Sequence, residues 1–332
     1  MKQPTIADVA KIAGVSKTTM SRFLNQDYDH MSQKTKEKIT QVVKELNYHP
    51  PNRHAQSLKS KVTREIGVQI ADISNTYASE LLKGIGNILR DNNYQMLITD
   101  SANSLELERQ QLESLIRQQV DGIILQPVSR NASDYQFIKD ANIPLVLVDR
   151  QVNQLLWPTV TSDNYKITKE LGRLMVERKY QRVITITNPV HETSTRELRY
   201  QAIKEVSSAN QLIDELVELT PNLDLKDYLR NSLATSKLKT VLFTTNSMVL
   251  SQVLATLMEL KIKFPQDIGI CSYDGWNWTQ LIGNGITTID QDPIKIGSTS
   301  AQIIIDALND PDSYPDLKKH IITAHLITKD SL

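Results

Sequence analysis

Residues Thr5–Asn25 read TIADVAKIAGVSKTTMSRFLN, and the fold of the N-terminal region follows from them. Thr5 is a good N-cap, and Asp8 stands where a carboxylate bonds back to the cap. Ile6, Val9, Ala10 and Ala13 then recur at i, i+3, i+4 and i+7, one face of a helix. Gly14 stands where a left-handed residue ends such a helix. Ser16 caps a second helix at once, with Met20, Phe23 and Leu24 inward and Lys17, Thr18, Ser21 and Arg22 outward. Two short helices joined by a tight glycine turn, the second slim and polar outside, predict a helix-turn-helix. A helix enters the major groove only if its exposed side is slim and able to exchange hydrogen bonds. Lys17, Thr18 and Arg22 meet that requirement. The blander reading is a three-helix cap with a solvated polar face.

Ser32 caps a third helix, with Ile39, Val42, Val43 and Leu46 inward and Lys34, Lys36 and Lys38 outward. The charge distribution favours the DNA-reading interpretation. The 332 residues carry a formal net charge of zero, which at face value argues against a nucleic-acid partner. From Met1 to Arg64, however, twelve basic residues face five acidic ones, a net +7, and the remainder carries −7. Such asymmetry suits a basic module that meets a polyanion, tied to an acidic body that does not.

At this point the chain resembles the LacI family of bacterial transcription regulators. The resemblance rests on TIADVAKIAGVSKTTMSRFLN, continues in SQKTKEKITQVVKELNYHP, and extends into the hinge-like NRHAQSLKS. It implies that Lys17 and Thr18 are base readers and that Ser16, Ser21, Arg22, Asn25 and His30 hold bases or phosphates. Thr5, Ser32 and Thr35 would belong to the same DNA-binding surface, the last two on backbone phosphates. It also implies a hinge helix that folds on DNA. Asn52 can cap a helix to about Ser60, too short to be stable alone, since about 12–15 residues is already marginal. Leu58, flanked by Lys59 and Lys61, has the form of a minor-groove wedge, and the resemblance places Ala55 and Lys59 beside it. Pro50-Pro51 adds a proline where the family usually has one.

From Ile66 onward, short apolar strands alternate with amphipathic helices: IGVQIA, YQMLIT, DGIILQP and IPLVLVD, then RVITIT, TVLFTT and IGICSYD. Two successive βα series predict an α/β core of two doubly wound parallel-sheet lobes with a cleft between them. The resemblance makes this a periplasmic-binding-protein-like core whose chain crosses between lobes near Ser162, Asp290 and His320. The expected organisation is an all-α helix-turn-helix domain (1–49), a hinge (50–64) and an effector-binding and dimerisation core (65–332). Lobe one would span about 65–161 and 291–319, and lobe two about 162–290 and 320–332, closed by HIITAHLIT.

Ligands in such folds bind at the carboxyl ends of strands. Asp72, Ser74, Asn75 and Tyr77 follow the first strand, and Asp149 and Arg150 the fourth. Asp163 and Asn164 sit at the first crossover, and Arg196 and Arg199 begin a helix. Asn246 precedes another helix. Asp274, with Trp276 and Trp278 close by, ends IGICSYD, and Asp290 and Gln291 lie at the second crossover. Carboxylates and amides suit vicinal hydroxyls, and an aromatic ring covers a sugar's apolar face. Taken singly, Asp and Asn at such junctions are usually caps. The family pattern raises Arg199, Asn246, Asp274 and Gln291 above that reading. Arg150, Arg196 and Arg199 together invite the reading of a sugar acid or phosphorylated sugar in place of a neutral sugar, because arginine suits carboxylate recognition, although a neutral-sugar binder also uses an arginine like Arg199. Ser247, Gly275 and Glu197 depart from the common pattern, so effector identity does not transfer from other members.

Other classes find little support. Gly84-Ile85-Gly86 lies within a helical pattern and lacks the preceding strand of a phosphate loop. Six histidines and one cysteine show no metal spacing, and no catalytic triad can be nominated, so no enzyme activity and no cofactor are expected. The lone Cys271 suggests a reducing compartment. Without an apolar leader or a run near the roughly 20 residues of a membrane span, a cytoplasmic protein is expected. With no heptad tail, a homodimer on a near-palindromic operator is the default. The expected function is repression of carbohydrate-metabolism genes, relieved by a small effector. The alternatives are a corepressor- or partner-dependent regulator of the same fold, or a sugar-binding protein that never meets DNA.

Overall fold

A computed structural model of the chain describes residues 4–24, 27–29, 31–48, 62–314 and 317–332. These form two compact units, 1–63 and 64–332. The first is built from α1 (Ile6–Ala13), α2 (Lys17–Leu24) and α3 (Gln33–Glu45). The capping box is present: the Asp8 amide donates to Thr5 Oγ1 at 3.4 Å, and the Thr5 amide to Asp8 Oδ2 at 2.8 Å. Gly14 closes α1 at φ 63°, a conformation a side chain disfavours, and its N–H returns to the carbonyls of Ala10 and Lys11. Val9, Ala10, Ala13, Met20, Ile39, Val42 and Tyr48 form one buried cluster, edged by Phe23 and Leu24.

The second unit holds two six-stranded sheets. Lobe one carries β1 (Glu65–Ile70), β2 (Gln95–Asp100), β3 (Gly122–Leu125), β4 (Leu145–Val148), β5 (Thr159–Ser162) and β11 (Lys319–Ile322), in the order β11-β5-β4-β3-β1-β2. Its helices include α4 (Thr76–Asp91), α5 (Leu105–Arg117), α6 (Gln136–Asp140) and α11 (Pro293–Asn309). Lobe two carries β6 (Arg182–Thr187), β7 (Ile213–Glu218), β8 (Thr240–Thr244), β9 (Gly269–Tyr273), β10 (Thr287–Asp290) and β12 (His325–Ile327), in the order β12-β10-β9-β8-β6-β7. Here the helices are α7 (Asn164–Glu177), α8 (Ser194–Asn210), α9 (Leu225–Ala234) and α10 (Ser247–Leu260). Central strands read as unbroken apolar runs because helices cover both faces, and every residue of β3, β4, β8 and β9 is buried.

Two expectations need correction. HIITAHLIT is not one strand closing lobe two. Lys319–Ile322 runs parallel to β5 in lobe one, and the third crossing falls at Thr323–Ala324, after Ile322 instead of near His320. His325–Ile327 then pairs antiparallel with β10, so the second sheet is not wholly parallel. The crossings are tied to one another: Ala324 N–H donates to Asp163 Oδ1 at 2.8 Å, and Ser162 Oγ to Gln291 Oε1 at 2.7 Å.

Candidate functional site

On the helical unit, Lys17, Thr18, Ser21 and Arg22 are exposed along α2, opposite buried Met20. Thr5, Ser16 and Ser32 stand at three helix N-termini, where free N–H groups favour phosphate oxygens. Ser16 Oγ takes the Thr19 amide at 3.0 Å, and Ser32 Oγ takes the Thr35 amide at 3.2 Å. Asn25 and His30, and the hinge positions Asn52, Ala55, Leu58 and Lys59, lie outside the described residues.

In the core, strand ends from both lobes converge as expected, but on two cavities. The first, about 140 Å³, is lined from lobe one by Asp72, Asn75, Tyr77, Asn103, Gln126 and Arg150. From lobe two come Asn188, Arg196, Asn246, Met248 and Gln252. The second, about 560 Å³, is lined by Thr76, Glu80, Asp274, Trp276, Trp278, Asp290 and Gln291, among others. One end of the cleft is therefore basic and the other acidic.

Asp149 and Asp274 occupy equivalent places, each ending the fourth strand of its lobe's βα series at φ 62° and 57°. Aspartate is among the few side chains that tolerate this region. Gln126 Nε2 donates to Asp149 Oδ2 at 2.7 Å, and Gln291 Nε2 donates to Asp274 Oδ1 at 2.9 Å. Among the described residues no group meets hydrogen-bond geometry with the buried Tyr77 hydroxyl, although the Asp149 carboxylate lies near it. Burial first, then the charges of Asp149 and Asp274, hold it well above the usual phenol range. An orphan hydroxyl costs about 1–3 kcal/mol, which a polar ligand would relieve.

Arg199 lines neither of these cavities. Its Nε donates to Asn164 Oδ1 at 2.8 Å and its Nη1 to the Thr245 carbonyl at 2.6 Å. Its guanidinium lies 3.6 Å from the Tyr273 ring centroid. Arg199 and Asn164 are thus buried supports behind Asp274. Ser74 folds back on Asp72, its hydroxyl 2.6 Å from Oδ1, and lines neither cavity. Asn246 is both cap and lining residue: its Oδ1 accepts the Val249 amide at 2.9 Å. Trp276 holds a strained φ of 46° while its ring packs against the core of lobe one.

Sequence reasoning missed Asn103, Gln126 and Asn188. Each follows a strand, β2, β3 and β6, so the strand-end rule extended to every strand would have found them. Two of the departures from the family pattern, at Gly275 and Glu197, have local causes. A Cβ on Gly275 would lie 2.5 Å from Thr288 Oγ1 and 2.8 Å from Thr279 Oγ1, so the common aspartate does not fit. Glu197 pairs with Arg130 at 2.6 Å.

Burial pushes the Asp274 carboxyl up to about 6, against the opposing pull of Arg199 and the Gln291 hydrogen bond. An ordinary aspartate titrates near 3.9. The folded protein therefore binds a proton between about pH 4 and 6 that the unfolded chain releases, and stability from this group rises as pH falls through 6. Asp274→Asn is expected to raise the melting temperature by roughly 3–6 °C at pH 8 and to change it little at pH 4.5. Equal shifts in thermal melts at both pH values would contradict this.

Comparison with known proteins matches the same two units. The pattern described as "Bacterial regulatory proteins, lacI family" matches residues 5–51, and "Periplasmic binding protein domain" matches residues 66–312. The chain is 33% identical over 308 residues to the HTH-type transcriptional regulator KdgR of Bacillus subtilis, covering 91% of this chain and 90% of that protein. It is 31% identical over 312 residues to the sucrose operon repressor of Pediococcus pentosaceus, covering 93% of each. Among solved structures, the Lac repressor dimer bound to operator and an anti-inducer aligns with a TM-score of 0.83 at 21% identity, over 99% of each chain. The chain belongs to the LacI family of bacterial regulatory proteins, and it is a DNA-binding transcription regulator.

Proposed function

We propose that the protein represses carbohydrate-metabolism genes as a cytoplasmic homodimer on a near-palindromic operator. A small sugar or sugar acid seated between the lobes releases it. The observation that carries this reading is the composition of the first cavity. Amides and carboxylates suited to vicinal hydroxyls surround Arg150 and Arg196, which approach from opposite lobes. A relative named for a sucrose operon supports the carbohydrate assignment. The paired arginines favour an acid: a carboxylate between them stabilises only the arrangement that brings both lobes together, the condition for shifting a two-state balance.

In the helical unit, Lys17, Thr18, Ser21 and Arg22 read bases, while the caps Thr5, Ser16, Ser32 and the adjacent Thr35 meet phosphates. Asn25 and His30 are assigned to bases or phosphates of the same operator. Asn52, Ala55, Leu58 and Lys59 are assigned to contacts with the operator's minor groove. Around the cleft, Asn75, Tyr77, Arg150, Arg196 and Asn246 contact the effector from the first cavity. Asp274, Trp276 and Gln291 do so from the second, with Asp149, Asn164, Arg199 and Ser74 holding the walls.

The test begins with selection of the operator from random DNA by the purified protein, followed by calorimetry with neutral sugars and sugar acids. Operator binding should weaken steeply with salt, as phosphate contacts require, and a sugar acid should release it. Release by neutral sugars alone would remove the acid reading. No selected DNA at any salt would remove the regulator's proposed site on α2. Leu58→Ala is expected to weaken operator binding roughly tenfold or more, given the few kcal/mol a base-step wedge commits, with effector affinity nearly unchanged.

A further inference from the structure

Two contacts cross between the lobes beside the first cavity, and neither involves a cavity-lining residue. Arg130, in the segment after β3, pairs through Nη2 with Glu197 Oε2 at 2.6 Å. The Gln151 amide, after β4, donates to Ser194 Oγ at 2.9 Å. Ser194 and Glu197 both lie in the first turns of α8. The chain neighbours of these residues are the cavity arginines: Arg150 precedes Gln151, and Arg196 precedes Glu197. Closing the lobes therefore presses two cations toward each other. The repulsion registers on Arg196, which burial and then Arg150 lower to about 10. Glu192, on the 3₁₀ turn before α8, offsets part of it by pairing with Arg196 at 3.2 Å. Arg150 itself is offset by Asp149, Glu108 and Asp72, so the cost of closure falls mainly on Arg196.

We propose that Arg130 and Glu197 form an interlobe latch that holds the cleft closed against the repulsion between Arg150 and Arg196. Arg130 is set for this task. Its carbonyl accepts the Asn153 amide at 2.8 Å, and the Ala132 amide donates to Asn153 Oδ1 at 3.2 Å. The base of the same segment is fixed from inside lobe one. Buried Glu108 accepts the Val128 amide at 2.9 Å and the Tyr135 hydroxyl at 2.7 Å. The guanidinium is thus presented from a pinned loop, which lowers the entropy lost in pairing. Glu197 sits where the α8 macrodipole favours an acid. Both side chains are about one-third exposed, 32% and 31%, so the pair is partly shielded from solvent. The latch acts whichever sugar or sugar acid the cleft takes.

The Gln151 amide reports closure directly, because it exchanges with solvent only when its bond to Ser194 opens. In the ligand-free full-length protein, Glu197→Gln and Arg130→Gln should each accelerate hydrogen exchange at Gln151 about three- to fivefold, the upper part of the scale of a partly exposed ion pair. Amides of β1 and β6 should be unaffected. The swapped double variant Arg130→Glu/Glu197→Arg should recover at least half of the lost protection. Exchange at Gln151 within twofold of the parent in both single variants would overturn the latch. So would acceleration spread equally over β1 and β6, or a swap that restores nothing.

Discussion

Replacing Arg196 with alanine is expected to lower affinity for an anionic effector about a hundredfold while leaving operator affinity in the absence of effector within about threefold. The larger figure is that of losing one partner of a desolvated charge pair, about 2–5 kcal/mol. Arg196 suits the role because its side chain is only 14% exposed yet reaches the first cavity, and its Nη1 already bonds the Pro189 carbonyl at 3.2 Å. The group is therefore held in place before a ligand arrives. Although burial lowers it to about 10, it keeps its proton at neutral pH. Arg150 is held in the same way by Asn103 Oδ1, 3.2–3.3 Å from its two terminal nitrogens, and Asn103 in turn donates to Asp72 Oδ2 at 3.3 Å. Arg199→Ala should behave differently. It strips Asn164, Thr245 and Tyr273 of a buried partner, so it should lower the melting temperature as well as the affinity. Calorimetric titration beside an operator-release assay separates the two. If Arg196→Ala binds a releasing sugar acid as tightly as the parent does, the anion clamp is wrong.

Local chemistry explains which parts of this molecule were legible in the sequence. The head was readable because Thr5 with Asp8, Gly14, and the spacing from Ile6 to Ala13 each concern neighbours within a helical turn. The two lobes were readable because central strands, covered on both faces, become apolar runs. Crossing points were harder. KHIITAHLI is a continuous strand-like run, and only pairing shows that Thr323–Ala324 divides it between sheets. Side-chain roles were hardest, since charge does not reveal burial. Arg196 and Arg199 are three residues apart on one helix, yet one reaches the cavity and the other stacks on Tyr273. Glu197 stood out only as a departure, because its partner Arg130 comes from the other lobe.

Gly84→Val is expected to destabilise the core by about 3 kcal/mol or more, while Gly86→Ala is expected to be neutral or slightly stabilising. The two glycines look alike in sequence, two residues apart on α4. Around them the structure differs. A Cβ at position 84 would lie 2.2 Å from the Ile294 carbonyl oxygen and 2.9 Å from Ile294 Cα, both backbone atoms of α11. The approach is reciprocal, since a Cβ on Gly297 of α11 would lie 2.3 Å from the Leu81 carbonyl oxygen. Backbone cannot rotate away as a side chain can, so a larger residue must separate α4 from α11. Those helices enclose Leu81, Ile85, Ile296, Ala301 and Ile304, and parting them opens the core of lobe one. At position 86 the nearest atom is Met96 Cε at 3.6 Å, an ordinary contact with a flexible side chain. There alanine removes glycine's helix penalty of roughly 0.5–1 kcal/mol without a clash. At about 2–4 °C per kcal/mol, Gly84→Val should lower the melting temperature by roughly 6–12 °C. It should also weaken effector binding, because Asn75 and Tyr77 enter the cavity from the first turn of α4. Equal melting temperatures for the two variants would refute the close-packed crossing as the reason for glycine at position 84.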